Sequence, residues 1–325
     1  MKHADIIHLP VLIRDYLLKY SDSDHAVSTP ELKAYLSDFG FDADRRSIYK
    51  AISTLKEHGC PVNYVNRKSV QGYWIEHTFT AEEAFFLSDA IQSSASLSQK
   101  SADEFSAKVK GTLSEYEQKS LPEISPAASR SDNDQILNVI AVLLRAIHNR
   151  NPVEFRYYDL SVTRKKQYRR SNKIYHLIPY ALVSNANRYY CVFYSKEHES
   201  FANYRIDKMD MIHVLEEQED PVFFSLKDHI RSSFNMYHGE PDTVTVSFDL
   251  SLANVVFDEF GRDIIISKVD ETRFTASIRT SVTPTLISWL LQFYDRMEVK
   301  KPESLKERLY TIGENLIQTY QKTGG

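Results

Sequence analysis

The sequence predicts a multidomain α+β protein, and three observations carry that reading. At 325 residues the chain exceeds one ordinary domain, while 42% hydrophobic content with nine glycines and eleven prolines suits a folded chain. The first 76 residues pass from helix signals to a hairpin signal. From residue 131 onward one helix precedes several short Tyr-rich strands, and the last third mixes alternating strands with helices.

Leu9 to Leu18 reads as an amphipathic helix. Ser28-Thr29-Pro30-Glu31 has the form of a capping box and opens a second helix through Leu32 and Leu36 to Phe39-Gly40. In a third helix, Asp44 is the natural N-cap and Gly59 the natural stop. At about 100° per residue, Ile48, Ala51, Ile52 and Leu55 share its apolar face, which leaves Arg46, Lys50 and Ser53 opposite and Tyr49 on the flank. Pro61 to Val65, the polar tip Asn66-Arg67-Lys68-Ser69 and Gly72 to Ile75 then read as a β-hairpin. Three helices and a hairpin make a winged helix-turn-helix over 1–76.

The outward face of the third helix offers Arg, Lys, Ser and Tyr in place of the usual Glu/Lys mixture. Such a face suits a DNA major groove, and a basic hairpin tip suits the neighbouring phosphates. A solvated polar helix face is the plain alternative. The surrounding helix order favours double-stranded DNA, with Arg45, Arg46, Tyr49, Lys50, Ser53, Arg67 and Lys68 as candidate contacts.

Residues 77–130 read as a helical connector. Thr80-Ala81-Glu82-Glu83 opens a helix with Ala84, Leu87 and Ile91 on one face. A serine-rich break follows, and then a helix from Ala102 to Tyr116 striped by Phe105, Val109, Leu113 and Tyr116. Leu121 to Pro126, with two prolines, reads as a linker.

Residues 131–215 hold the helix Ile136 to Asn149, then strand-like Val153 to Tyr158, His176 to Leu182, Arg188 to Tyr194 and Phe201 to Ile206. Together they suggest a small, strongly bent β-barrel. Arg164, Lys165, Lys166, Arg169, Arg170 and Lys173 crowd into the stretch 164–173. Residues 151–213 carry a net +5 between segments of −4 (76–150) and −6 (214–325), so the basic block points to an anionic partner. Residues 216–325 predict an α+β sandwich: strands Val244 to Phe248 and Phe274 to Ile278, helices Leu252 to Phe260, Thr285 to Tyr294 and Glu303 to Tyr320.

Enzymatic motifs are missing from the sequence. It has no glycine-rich phosphate loop, no His-Glu-x-x-His and no Gly-x-Ser-x-Gly, and its carboxylates are not matched with histidines as a metal-dependent nuclease requires. No enzyme, cofactor or metal is expected. Cys60 and Cys191 lack neighbours at metal spacing and read as structural. The absence of a signal-peptide pattern and of any run of about 18 apolar residues predicts a cytoplasmic protein without a membrane partner.

Tyr189-Tyr190-Cys191, the preceding Pro179-Tyr180-Ala181-Leu182, the later Arg205-Ile206-Asp207-Lys208 and the closing Trp289-Leu290-Leu291-Gln292-Phe293 with Pro302-Glu303 together resemble WYL-domain transcriptional regulators. The family tripeptide is Trp-Tyr-Leu, and its later pattern is Arg-x-Asp-Arg, where this chain has Lys208. The resemblance implies a winged helix, a WYL domain of Sm-like or SH3-like barrel form and a C-terminal extension. It also implies a ligand-responsive DNA-binding regulator whose WYL domain senses a nucleotide or nucleic-acid fragment.

From the residues themselves, Tyr rings can stack on a base and Arg205 can hold a phosphate bidentately. Tyr180, Tyr190, Arg205, Lys208, Arg169 and Arg170 are therefore the candidate ligand set. Against this, Arg205 can instead pair with Asp207 or Asp210, and the 164–173 run can be a solvated hairpin. A regulator of this kind is expected to act as a homodimer. The alternative is a nucleic-acid-binding accessory protein that uses the basic barrel without regulating a promoter.

Overall fold

A computed structural model describes residues 3–125, 130–131, 133–232 and 241–321. Two compact units divide the chain, residues 1–134 and 135–325.

The first unit opens with α1 (His3–Tyr20), which buries Leu9, Ile13 and Leu17, a row spaced four apart along one helix face. α2 (Thr29–Asp38) starts as expected: the Ser28 hydroxyl accepts from the Glu31 N–H, and the Glu31 carboxylate accepts from the Ser28 N–H. α3 (Arg45–Glu57) is capped by Asp44, whose carboxylate accepts from the Ser47 N–H at 2.8 Å. Ile48, Ala51 and Ile52 are buried, while Leu55 is only half-buried.

The hairpin β1 (Val62–Asn66) and β2 (Gln71–Ile75) follows. Val27 and Tyr73 exchange two backbone hydrogen bonds of 2.8 Å, so the hairpin is stitched to the segment before α2. Gly72 is required at this close approach, because a Cβ there would lie 2.3 Å from the Val27 carbonyl oxygen.

The connector departs from expectation in two ways. α4 (Ala81–Ser93) buries Ala84, Ser88 and Gln92 rather than Ala84, Leu87 and Ile91. It packs on α5 (Gln99–Lys110), whose buried residues are Ser101, Ala102 and Ser106, so small side chains let the two helices approach. The single helix expected over 102–116 is also broken. α5 ends at Gly111, and Ser114 with Glu117 builds a fresh capping box for α6 (Glu115–Ser120).

That break docks α6 onto the helical domain. The Ser114 hydroxyl donates to buried Asp22 at 2.7 Å, Tyr116 stacks on His25 with centroids 4.0 Å apart, and Lys19 pairs with Glu115 at 3.3 Å. The end of the expected linker, 126–129, lies outside the described residues.

The second unit begins with α7 (Ile136–Asn149). It buries Ile136, Val139, Leu143 and Ala146 and touches β5 (Ile174–Asn185) and β8 (Met209–Val214). The remaining strands of this part are β3 (Val153–Leu160), β4 (Lys166–Tyr168), β6 (Arg188–Ser195) and β7 (Ser200–Arg205). The antiparallel order is β4-β3-β5-β6-β7, with β8 on β3 as well. Along β3, Leu160 to Tyr158 face β4 and Arg156 to Val153 face β5, so β4 and β5 follow one another along the same edge. A 3-10 turn, Ile206–Lys208, joins β7 to β8, and no ladder links them among the described residues.

After α8 (Leu226–Ser232) comes a four-stranded antiparallel sheet in the order Ile265–Val269, Arg273–Ser281, Pro241–Asp249, Met297–Lys301. Its elements in chain order are β9 (Pro241–Asp249), α9 (Ala253–Phe260), β10 (Ile265–Val269), β11 (Arg273–Ser281), α10 (Pro284–Leu291), β12 (Met297–Lys301) and α11 (Glu303–Gln321). Val246, Phe248, Ala276, Leu286, Leu290 and Leu305 share its core, so helices and sheet enclose one apolar layer.

Candidate nucleic-acid interface and basic cluster

The first unit presents the outer face of α3 beside the hairpin. Arg46, Lys50 and Ser53 are exposed, as the helical spacing requires once Ile48, Ala51 and Ile52 are buried. Arg45 is held by Tyr49: its Nε donates to the phenol oxygen at 2.5 Å and its guanidinium lies 5.3 Å from the ring centroid. The Ser53 hydroxyl donates to Glu57 at 3.0 Å. Arg67 lies 3.9 Å from Asp24, an exposed pair of little energetic weight, and Lys68 is exposed at the hairpin tip.

Between helix and hairpin lies an aromatic seam that the sequence reading missed. Tyr73 sits edge-on to Tyr49 at 6.4 Å and against Tyr64 at 5.0 Å, and Gln71 donates to the Tyr64 hydroxyl at 3.1 Å. The signal was present in the strand alternation, which puts Tyr64 and its partner Tyr73 on one face of the hairpin.

In the second unit, the six candidate ligand residues divide. Arg205 donates through Nε and a terminal nitrogen to the two carboxylate oxygens of Asp207, at 3.1 and 2.7 Å. Arg188 approaches the same carboxylate at 3.4 Å. Asp207 is buried, and of the two partners foreseen for Arg205 it is the one taken. Asp210 instead accepts from Lys166 at 2.8 Å and from the Tyr168 hydroxyl at 2.7 Å.

Lys208 and Arg169 converge on Asp159, at 2.6 and 2.5 Å. Arg169, and with it Lys208, hold the Asp159 carboxyl down to about 2 against the smaller effect of burial. Tyr157 links the two pairs, because its hydroxyl accepts from the Arg205 N–H at 3.1 Å and its ring lies 5.0 Å from the Arg169 guanidinium. Burial raises the Tyr157 hydroxyl well above its ordinary value and pushes Tyr158 up to about 12, so both rings act as neutral hydrogen-bonding groups. Tyr190 faces Arg205 across the β6–β7 ladder, and Arg170 is exposed.

Tyr180 stands apart from this cluster. It packs against Phe201 and Phe224 at 5.1 and 5.5 Å, and its hydroxyl accepts from the Val222 N–H at 2.8 Å. Its ring neighbour on β6 is Tyr194, at 6.4 Å, four residues along the strand from Tyr190. Sequence reasoning weighed carboxylate partners for Arg205 alone and overlooked Asp159, which lies near the end of β3.

Among the described residues, Lys166, Arg169, Arg188, Arg205 and Lys208 thus pair with Asp159, Asp207 and Asp210. The chemistry available is anion binding in competition with internal carboxylates. Among the described residues no group of three or more His, Cys, Asp or Glu side chains is placed to hold a metal ion, and no helix is long and apolar enough to cross a membrane. Burial raises the Cys191 thiol well above its ordinary value, so it sits in β6 as a small apolar group.

The WYL domain model matches residues 138–214, the region that holds this cluster, and the WCX domain model matches residues 240–317. The chain therefore contains a WYL domain followed by a WCX domain. Its ion-paired cluster lies within the WYL domain and its four-stranded sheet within the WCX domain. No curated protein matches the sequence.

Among solved structures the WYL-domain chain is similar to proteasome accessory factor B/C (PafBC) of Arthrobacter aurescens. That likeness has 16% identity and a TM-score of 0.29 over 94% of this chain, which spans about half (47%) of that protein. It is also similar to a protein described as CRISPR Cas-related, at 14% identity and a TM-score of 0.39, covering 98% of this chain and 86% of that one.

Proposed function

We propose that this WYL-domain protein is a DNA-binding transcriptional regulator. In this reading the first 76 residues are a winged helix-turn-helix that reads duplex DNA, and the WYL domain, a strongly bent Sm-like barrel, senses an anionic ligand. One observation carries the DNA reading. The polar face of α3 is exposed and cationic at Arg46 and Lys50, with Arg45 held ready on Tyr49, directly beside the tethered hairpin.

Arg46 and Lys50 then meet base edges, Tyr49 a base or backbone group, and Arg67 and Lys68 phosphates. A single recognition helix discriminates only a few base pairs at about 1–3 kcal/mol each, so two copies on a pseudo-palindrome supply the specificity. The WYL cluster supports the sensor reading because Arg205 and Arg169 can exchange Asp207 and Asp159 for the oxygens of a nucleotide or short nucleic acid. The connector, fastened to the helical domain through Ser114 and Tyr116, is the transmitter in this scheme. Ligand must favour one arrangement of the DNA-binding parts over another, or it shifts nothing.

The test is selection of bound sequences from random duplex DNA, followed by two variants of the full chain. Lys68→Ala should weaken binding to every sequence and lower the salt slope by about one. Arg46→Ala should relax preference at one base step. If no duplex is enriched, or both variants shift affinity uniformly, the recognition face is misassigned.

A further inference from the structure

We infer that Arg45 reads a guanine in the major groove, and that Tyr49 and Tyr73 hold it in the pose that does so. This inference deepens the DNA-binding reading above and rests on it. The helices before and after α3 in the chain place acids in their first turn, where the positive end of the helix dipole favours them: Glu31 in α2, Glu82 and Glu83 in α4. α3 has no acid there and opens on Arg45 and Arg46 instead. Cations at that end cost helix stability, and a local cost of this kind is expected where a position serves function.

Arg45 is also held in place. Its Nε donates to the Tyr49 hydroxyl, and the Tyr49 ring sits edge-on to Tyr73, whose strand is tied to Val27 by two backbone hydrogen bonds. A side chain ordered in advance loses less freedom on binding. Among the described residues no carboxylate pairs with Arg45, in contrast to Arg169 and Arg205 of the WYL domain. One of the five guanidinium N–H groups is taken by Tyr49, and the two terminal nitrogens remain to donate side by side.

That pair of donors selects the base. Guanine presents two adjacent acceptors, O6 and N7, whereas adenine sets a donor beside its N7. A phosphate is the competing partner, and two observations disfavour it. The Asp44 carboxylate already fills the helix end, accepting from the Ser47 N–H, and it repels a second anion there. A phosphate contact also needs no fixed pose, while a base edge does. Residues at the start of a recognition helix are the ones that reach base edges, and Arg45 is the first residue of α3.

The test takes the full chain and a duplex enriched from random DNA, and replaces each guanine in turn by 7-deazaguanine, which lacks the N7 acceptor and still pairs with cytosine. At one step the replacement should weaken wild-type binding about tenfold. Arg45→Ala should bind the two duplexes alike. Tyr49→Phe keeps the ring but removes the acceptor, and should cut the penalty to about threefold. Circular dichroism checks that each variant is folded, and the base replacement itself needs no variant. A wild type that tolerates every replacement, or a penalty that survives Arg45→Ala, overturns the guanine assignment and leaves the DNA reading standing. So does an Arg45→Ala chain weakened on all sequences alike, with a salt slope lower by about one, because that is the mark of a phosphate contact. A penalty unchanged in Tyr49→Phe overturns the positioning role. If no duplex is enriched, the DNA reading itself falls and this inference falls with it.

Discussion

Replacing Asp207 by Asn tests whether the WYL cluster is held by its own carboxylates. The side chain is 5% exposed and accepts two bonds from Arg205 with Arg188 close by, whereas Arg205 and Arg188 keep 28% and 21% exposure. Asn preserves the volume and one acceptor but removes the charge. Breaking a fully buried pair costs about 3–5 kcal/mol; here both guanidiniums keep part of their hydration, so a loss of about 2 kcal/mol is expected.

The same change removes the negative charge that Arg205 and Arg188 share. Binding of a labelled single-stranded oligonucleotide should therefore tighten at low salt, with the slope of log affinity against log salt steeper by about 0.7 for each phosphate newly neutralised. Urea denaturation at neutral pH reads the first quantity, and fluorescence anisotropy across a salt series reads the second. A stability loss below about 0.5 kcal/mol together with an unchanged salt slope would refute the reasoning, because the carboxylate would then neither hold nor mask the guanidiniums.

Two further outcomes follow from the geometry. Gly72→Ala drives a Cβ to 2.3 Å from the Val27 carbonyl, so it should open the Val27–Tyr73 bridge and destabilise the first unit by about 1–3 kcal/mol, read as a lower thermal midpoint. An unchanged midpoint would show that the close approach carries no energy. Asp159 has its carboxyl depressed to about 2, so its contribution is present above the ordinary carboxylate value near about 3.9 and is lost as pH falls through about 2. With the side chain 38% exposed, solvent screening reduces that contribution to about 1 kcal/mol. The stability gap between wild type and Asp159→Asn should narrow steadily as pH falls from about 5.5 to 2, and a gap independent of pH would contradict the assignment.

Local grammar in the chain was readable wherever structure depends on near neighbours. The Ser28 and Thr80 capping boxes, the Asp44 cap and the hairpin with its polar tip all stand where the residues place them. The break inside 102–116 was equally local, because Gly111 and the Ser114–Glu117 box mark it; the apolar stripe concealed it. The buried face of α4 was not readable. It is chosen by the small side chains of α5, a partner that periodicity does not name.

The same division separates the two candidate sites. By itself the sequence determined the exposed row Arg46, Lys50 and Ser53, because a helix that buries Ile48, Ala51 and Ile52 must turn those three outward. Only the tertiary structure decided that Asp159 closes on Arg169 and Lys208 from positions 10 and 49 residues away, and that Tyr180 belongs to a separate aromatic group. Helical facing follows from a fixed rotation per residue, whereas the neutralisation of a charge depends on which distant strand the bent sheet brings beside it.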